Sequence, residues 1–330
     1  KMTKTNQQKV KDFLINNGVI IVMFILVIYT GFTSDNFFTK NNFMNILMNM
    51  SSRLVIALGI AGCVITAGCD LSAGRMIGFG ACISGMLLQR MDYSGKFFPD
   101  MQPLNVFVVA LIAMLVCAAF GTVTGFFIAY LNVPPFIATL AMMEIVYGIG
   151  LIVTNATPLG GYVEQYTNVS NGKFLGINYL IWIAIIVAAI TWFIFNMTRH
   201  GKYMYAIGGN PQAAEVAGVP VKATLILIYM KAAAMYGLAG FMLGAKAGGA
   251  SVQTGYGYEM EAIAACTIGG VSVTGGRGKV SSAIIGVAVF ELLKVALQYL
   301  GMNANAQYIA IGVVIFIAIS LDIRKYIARK

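Results

Sequence analysis

Long apolar runs alternate with short polar connections along the whole chain. A helix needs about 20 residues to cross the hydrocarbon core of a bilayer, so runs of that length are candidate spans. Ten stand out, at 14–32, 53–69, 73–91, 104–130, 134–154, 177–197, 222–244, 260–274, 280–300 and 306–322. The third and eighth are weak. Run 73–91 carries Gly74, Gly78, Gly80 and Gly85, and run 260–274 is short. Either pattern fits a broken or partly inserted helix, which a bilayer tolerates only where protein surrounds it. No small-residue cleavage site follows the first run, so it reads as a retained anchor.

Composition narrows the class. Hydrophobic residues make up 59% and charged residues 10% of the 330, against roughly 45–50% and 25% in ordinary soluble chains. The mean hydropathy is +0.81. A soluble exterior cannot carry that much apolar surface without associating. This excludes a cytosolic enzyme and, despite the net charge of +10, a nucleic-acid-binding protein. The reading is an all-α polytopic membrane protein in a lipid bilayer.

The positive charge sorts by connection. With the N-terminus in the cytoplasm, the inner segments hold fourteen cations: Lys1, Lys4, Lys9, Lys11, Arg75, Arg199, Lys202, Lys222, Arg277, Lys279, Arg324, Lys325, Arg329 and Lys330. The outer ones hold five: Lys40, Arg90, Lys96, Lys173 and Lys246. Cytoplasmic connections carry the excess of Lys and Arg, so the bias predicts ten spans with both termini cytoplasmic. An internal echo accompanies this pattern. Residues 61–65 (AGCVI) resemble 264–268 (AACTI), and 72–75 (SAGR) resemble 274–277 (TGGR). Each pair closes one run with a Gly-rich turn and opens another. Such repeats are common in transporters, and chance likeness between Gly-rich turns is the competing reading. The span count places both copies in the same orientation.

Little in the chain suggests chemistry. The five cysteines show no CxxC or Cys/His spacing, and His200 is the single histidine. The stretch Gly275 to Ser281 mimics a phosphate loop, but Val280 sits where Ser or Thr must hold magnesium. The chain therefore reads as non-enzymatic, with no cofactor of its own. Charges within runs are costly and mark function or structural pairing. Glu144 and Lys231 are candidates to pair across helices, either structurally or in a transport path. Glu291 and Lys294, three apart, are expected to neutralise each other locally. The Gly- and Tyr-rich stretch from Gly248 to Glu261 fits either a re-entrant or a plain external loop.

The most unusual polar connection is 199–221, RHGKYMYAIGGNPQAAEVAGVPV. Gly208-Gly209-Asn210-Pro211 is expected to turn. Asn210 suits an N-cap and Pro211 the first helical position. Gln212 to Ala217 then forms a short helix ended by Gly218. A short capped helix of this kind reads as a docking element; an ordinary loop is the alternative.

Here the chain resembles sugar permeases of the ribose/galactose type, the membrane subunits of bacterial ABC importers. The likeness lies in AIGGNPQAAEVAGV and extends over nearly the whole chain. It includes LVIALGIAG at 54–62, GCDLSAGR at 68–75, YLNVPPFIATL at 130–140, YEMEAIAACTIGGVSVTGGRG at 258–278 and the basic tail. The GCDLSAGR form and the tail are more similar to galactose/methyl-galactoside permeases than to ribose ones. The resemblance implies one transmembrane domain over 1–330, with a vitamin-B12-importer-like (type II) permease fold and residues 199–221 as its cytoplasmic coupling loop. Gly208, Gly209, Asn210, Ala213, Ala214, Glu215 and Gly218 would then engage the ATPase. The implied partners are a second permease copy, a tandem-domain ABC ATPase that binds the ATP and Mg, and an extracytoplasmic sugar-binding protein. The implied location is the bacterial inner membrane.

A sugar path needs hydrogen-bonding groups and apolar or aromatic walls. Asn49, Thr66, Asp70, Ser72 and Thr139 lie near the first Gly-rich break, and Thr267, Ser272 and Thr274 are their counterparts near the second. For Asp70 a cap on the following helix is the competing role. Affinity must stay low for release, so few sugar contacts and no deep pocket are expected. The alternative function is an ion-coupled secondary sugar transporter, and a non-transporting membrane scaffold is a second one.

Overall fold

A computed structural model describes residues 21–327 apart from 22 and 35. The start of the first predicted span and the cations Lys1, Lys4, Lys9, Lys11, Arg329 and Lys330 lie outside the described residues. The chain is almost entirely helical. The helices are α1 (Met23–Thr33), α2 (Lys40–Ile65), α3 (Ala73–Leu87), α4 (Val106–Tyr130) and α5 (Pro135–Thr154), followed by the short α6 (Glu164–Asn171). A two-residue-per-strand hairpin, β1 (Lys173–Phe174) and β2 (Ile177–Asn178), leads into α7 (Tyr179–Met197), α8 (Arg199–Gly209) and α9 (Pro211–Val216). Next come α10 (Val221–Ala247), α11 (Tyr258–Gly269), α12 (Val280–Tyr299) and α13 (Ala304–Ile327).

Among the described residues six helices are long and apolar enough to cross a bilayer: α2, α4, α5, α7, α10 and α12. The weak runs are short for a physical reason. Helix α3 has 15 residues and α11 has 12, and about 20 are required to span. Both are wrapped by other helices, where irregular backbone at membrane depth is permitted.

Burial separates an inner from an outer layer. In α2, 78% of the apolar window is buried, against 22% in α5 and in α7. Helix α2 is thus a core element, and α5 and α7 turn most of their apolar side chains outward, as lipid contact requires. The core is close-packed through small residues. A Cβ on Gly237 of α10 would lie 2.4 Å from Ala113 O of α4, and one on Gly80 of α3 would lie 2.9 Å from Gly237 Cα. Three helices meet at this point, and small residues permit such backbone approach in membrane bundles.

Helices α2 and α11 run side by side in the same direction. Arg53 of α2 pairs with Glu261, and Cys266 Sγ donates to Ala57 O at 3.3 Å. Gly276 N, just past α11, donates to Ile65 O, the last residue of α2, at 2.8 Å. The two echoed sequence copies therefore turn at the same end of the bundle.

Candidate functional site: a capped helix seated on two chain breaks

The short helix α9 forms for the reasons its sequence gives. Asn210 stands outside helical geometry, and its side chain accepts from Ala213 N at 3.0 Å; Pro211 occupies the first turn. The end is a Schellman motif. Gly218 N donates to Glu215 O at 2.9 Å and Val219 N to Ala214 O at 3.0 Å, with Gly218 at φ +82°. An L residue there costs about 1–2 kcal/mol. Ala214 is buried and anchors the helix. Pro211, Gln212, Ala213 and Glu215 are exposed, and Val216 is 91% exposed. The helix thus offers a small, mixed face outward.

Gly208 and Gly209 are not a turn. They are the last residues of α8, an element not expected from the sequence. The chain stays helical because Thr198 caps it, accepting from Gly201 N at 3.2 Å, and because Gly201, Met204, Ile207 and Gly208 are buried on one side. Gly208 serves close approach. A Cβ there would lie 1.8 Å from Ile65 O and 2.5 Å from Gly276 N. Gly275 in turn packs against Gly208 O and Ala67, and Tyr205 donates to Gly278 O at 2.8 Å. The end of α8 therefore sits on both breaks at once, the turn after α2 and the turn after α11.

His200 is the second residue of α8 and borders a small cavity with Lys231, Thr191 and Phe195. Burial, and then the Lys231 cation, pull its imidazole down to about 4. The unfolded chain, near 6.5, binds more protons between these values, so stability rises with pH there. His200 is expected to contribute fully above about pH 6.5 and to destabilise progressively as pH falls toward 4. Thermal unfolding across this range should show the decline, and His200→Gln should flatten part of it.

The polar residues near the breaks are mostly engaged locally. Asp70 is buried and accepts from Ser72 N at 3.0 Å and Ser72 Oγ at 2.6 Å, a local turn ahead of α3; it does not cap the helix, whose N-cap position is Ser72, without a side-chain cap bond. Thr66 donates to Cys63 O and Thr267 to Ile263 O. Thr139 reaches Cys69 O at 3.3 Å. Ser272 and Thr274 share a hydrogen bond of 2.9 Å. Asn49 lies apart from them. It binds Lys246 and lines, with Ser52, Arg53 and Tyr258, a cavity of about 260 Å³.

Two charge expectations are corrected. Glu291 and Lys294 do not pair with each other. Glu291 binds Arg53 of α2, and Lys294 binds Glu261 of α11 at 2.6 Å, while Arg53 Nε stands 3.3 Å from Glu261. Cross-helix neighbours outcompete the same-helix one because all four groups are buried together. No ion pair joins Glu144 and Lys231 among the described residues, since Glu144 points outward from α5 and Lys231 faces the His200 cavity.

The segment from Gly248 to Gly257 descends into the bundle, as the re-entrant alternative requires. Leu159 and Ala250 bridge at its start. Farther on, Val252 O and Thr254 O lie against Gly78, and Gly255 O and Glu259 against Gly74. The beginning of α3 is itself deep: Cys117, in the middle of α4, donates to Met76 O at 3.5 Å. Arg75 consequently belongs at mid-depth and not in an end connection, where the charge pattern had placed it.

Comparison with known proteins agrees with this architecture. Residues 42–319 match the family described as branched-chain amino acid transport system / permease component. The chain is 39% identical to the galactose/methyl galactoside import permease protein of Escherichia coli strain K12, and 40% identical to that of Haemophilus influenzae, over 100% of both chains in each case. It is 32% identical to the ribose import permease protein of Escherichia coli strain K12 over 96% of each chain. No solved structure matches.

Proposed function

The chain belongs to the branched-chain amino acid transport system / permease component family, and from that premise we propose that it is the permease subunit of an ATP-driven importer of galactose and methyl galactosides. The substrate follows the full-length relatives named above. Relatives of this kind give no support to the ion-coupled alternative. In this reading residues 1–330 form one transmembrane domain with ten spans, α3 and α11 being the incomplete ones, and a vitamin-B12-importer-like fold. Both termini face the cytoplasm of a bacterial inner membrane. Two copies enclose the path, a sugar-binding protein docks outside, and a tandem-domain ATPase holds the ATP and Mg inside.

The observation that carries this reading is the seat of α9. Its outward face is free to dock, and its near end continues into α8, which rests on both chain breaks. Closure of ATPase halves against α9 would move α8, and α8 cannot move without moving the ends of α2 and α11. A rigid push is thereby converted into a change at the breaks, as alternating access between rigid elements requires. Of the proposed path residues, Thr66, Asp70, Ser72, Ser272 and Thr274 lie in the breaks and Thr267 in the last turn of α11, while Thr139 reaches Cys69 O from α5 and Asn49 stands apart within α2.

The test is co-purification. Glu215→Lys reverses the one charge on the α9 face and is expected to weaken ATPase association by about tenfold or more, the cost of a like-charge contact at an interface. Insertion and thermal stability should be unchanged, because Glu215 is exposed. If the variant still purifies with a full complement of ATPase, α9 is not the docking element.

A further inference from the structure

At mid-depth the molecule presents a polar and aromatic face that neither the coupling segment nor the buried charge network uses. Arg75, in the first turn of α3, lies between two rings, 4.0 Å from the centroid of Tyr147 and 4.5 Å from that of Tyr256. Its Nη1 donates to Gln253 Oε1 at 2.8 Å, and Gln253 Nε2 donates to the Tyr147 hydroxyl at 3.0 Å. Tyr256 is 62% exposed, and Gln253 is exposed as well. Glu144 is one turn before Tyr147, so it shares that face of α5, and it too is exposed.

The depth is fixed from two sides. Tyr147 is just past the middle of α5, and Met76, next to Arg75, is bonded by Cys117 at the middle of α4. A carboxylate, a guanidinium and a primary amide at this depth do not face hydrocarbon; intramembrane charges line water-filled cavities or protein interiors. In the working assembly the face therefore meets water or another protein surface and not lipid.

We propose that Arg75, Tyr147, Gln253 and Tyr256 form the contact surface by which the permease passes a neutral aldohexose. This rests on the function proposed above and assigns its substrate contact. Planar amide and guanidinium groups suit sugar hydroxyls, and exposed tyrosine rings suit the apolar face of a pyranose, having an apolar body with a polar handle. Gln253 and the Tyr147 hydroxyl already bond within the cluster, so there a sugar exchanges bonds, while Arg75 Nε, buried and without a partner, can gain one. Affinity is thereby held low, as conduction demands. The surface is built by the re-entrant segment 248–257, which leads into α11, and by the start of α3, which follows the break after α2.

The experiment uses the full permease with its ATPase and binding protein in proteoliposomes, with labelled D-galactose and D-xylose as probes. Gln253→Ala and Tyr256→Ala are each expected to lower galactose uptake by about tenfold, the size of one lost contact, while binding-protein-stimulated ATP hydrolysis persists. They should also change the galactose-to-xylose ratio, which a purely structural defect lowers for both sugars alike. Tyr256→Phe, which keeps the ring, should recover most of the uptake. If wild type transports and both alanine variants stay within about twofold of it, this site is overturned and the function stands. If wild type moves no galactose with ATP, the proposed function fails and takes the site with it. Independently of folding yield, Gln253→Cys in a Cys69→Ser background should react with a charged, water-soluble thiol reagent, and galactose should slow the reaction. The other four cysteines are buried. Absence of labelling would place the face against lipid and overturn the proposal.

Discussion

Gly208→Ala is expected to leave the ATPase bound and hydrolysing while sugar uptake falls by about tenfold or more. The added methyl would lie 1.8 Å from Ile65 O and 2.5 Å from Gly276 N, both backbone atoms with no rotamer to yield. Overpacking of this kind costs about 1–3 kcal/mol, and about 1.4 kcal/mol in a barrier is tenfold in rate. The strain is relieved if α8 lifts away from the two breaks. The bond from the Tyr205 hydroxyl to Gly278 O, which ties α8 to the second break, is then loosened, and α9 keeps its own cap and Schellman bonds, which do not involve Gly208. Docking and transmission are thereby separated. Gly209→Ala is the stability control, because nothing lies within 4 Å of a Cβ there. Uptake and hydrolysis measured on the same proteoliposomes decide the matter. Equal loss of both would mean that α8 supports docking, and unchanged uptake would mean that its seat on the breaks transmits nothing.

The sequence was most readable where one local rule decided the outcome. Asn210, Pro211 and Gly218 occupy the positions that cap and terminate a short helix, and α9 forms within a residue of the expected bounds. The long apolar runs became α4, α5, α7, α10 and α12 nearly unchanged. Helix α2 instead begins at Lys40, thirteen residues before the expected start. Its first half is rich in Asn and Ser, which dilute hydropathy, but Thr39 caps it and Ser51 bonds back to Leu47 O at 2.7 Å. Helix α8 was hidden by its polarity. The spacing of Gly201, Met204 and Ile207, at three-residue intervals, was its available signal.

Depth and partnership were harder to read. Spacing alone joins Glu291 to Lys294, because it sees one helix at a time. The folded chain brings α2, α11 and α12 together, and each charge takes a partner from another helix. Arg75 was counted with end-loop cations because a Gly-rich break precedes it. The chain climbs between Ile65 and Ala73 before α3 begins, and that climb carries Arg75 to the middle of the bundle. No charge count contains this information, since it depends on where a neighbouring helix is cut. Gln253, Tyr147 and Tyr256 escaped notice for the same reason: only the re-entrant segment brings them to one place.

Arg53→Met is expected to be among the most destabilising single substitutions in the molecule, and Arg53→Met with Glu291→Met should recover most of the loss. Arg53 holds Glu291, whose side chain is 1% exposed, and stands 3.3 Å from Glu261, with the Tyr258 ring 5.1 Å from its guanidinium carbon. Lys294 supplies a second cation against Glu261, and Lys246, bonded to Asn49, stands nearby as a third. Removing Arg53 alone takes from buried Glu291 its direct ion-pair partner and leaves the Lys246 and Lys294 cations near it, neither bonded to it, a loss of up to about 3–5 kcal/mol in comparable pairs. Removing both leaves Glu261 with Lys294 and replaces an ion pair by apolar volume, a change that is often neutral or stabilising. The two positions touch, so their effects should be strongly non-additive, and a double-mutant cycle isolates that coupling. Unfolding of the purified variants in detergent measures it. A single variant within about 0.5 kcal/mol of wild type, the range of substitutions that break nothing, would show that Glu291 needs no partner. A double variant as unstable as the single one would show that Arg53 acts by packing against Tyr258 and not through its charge.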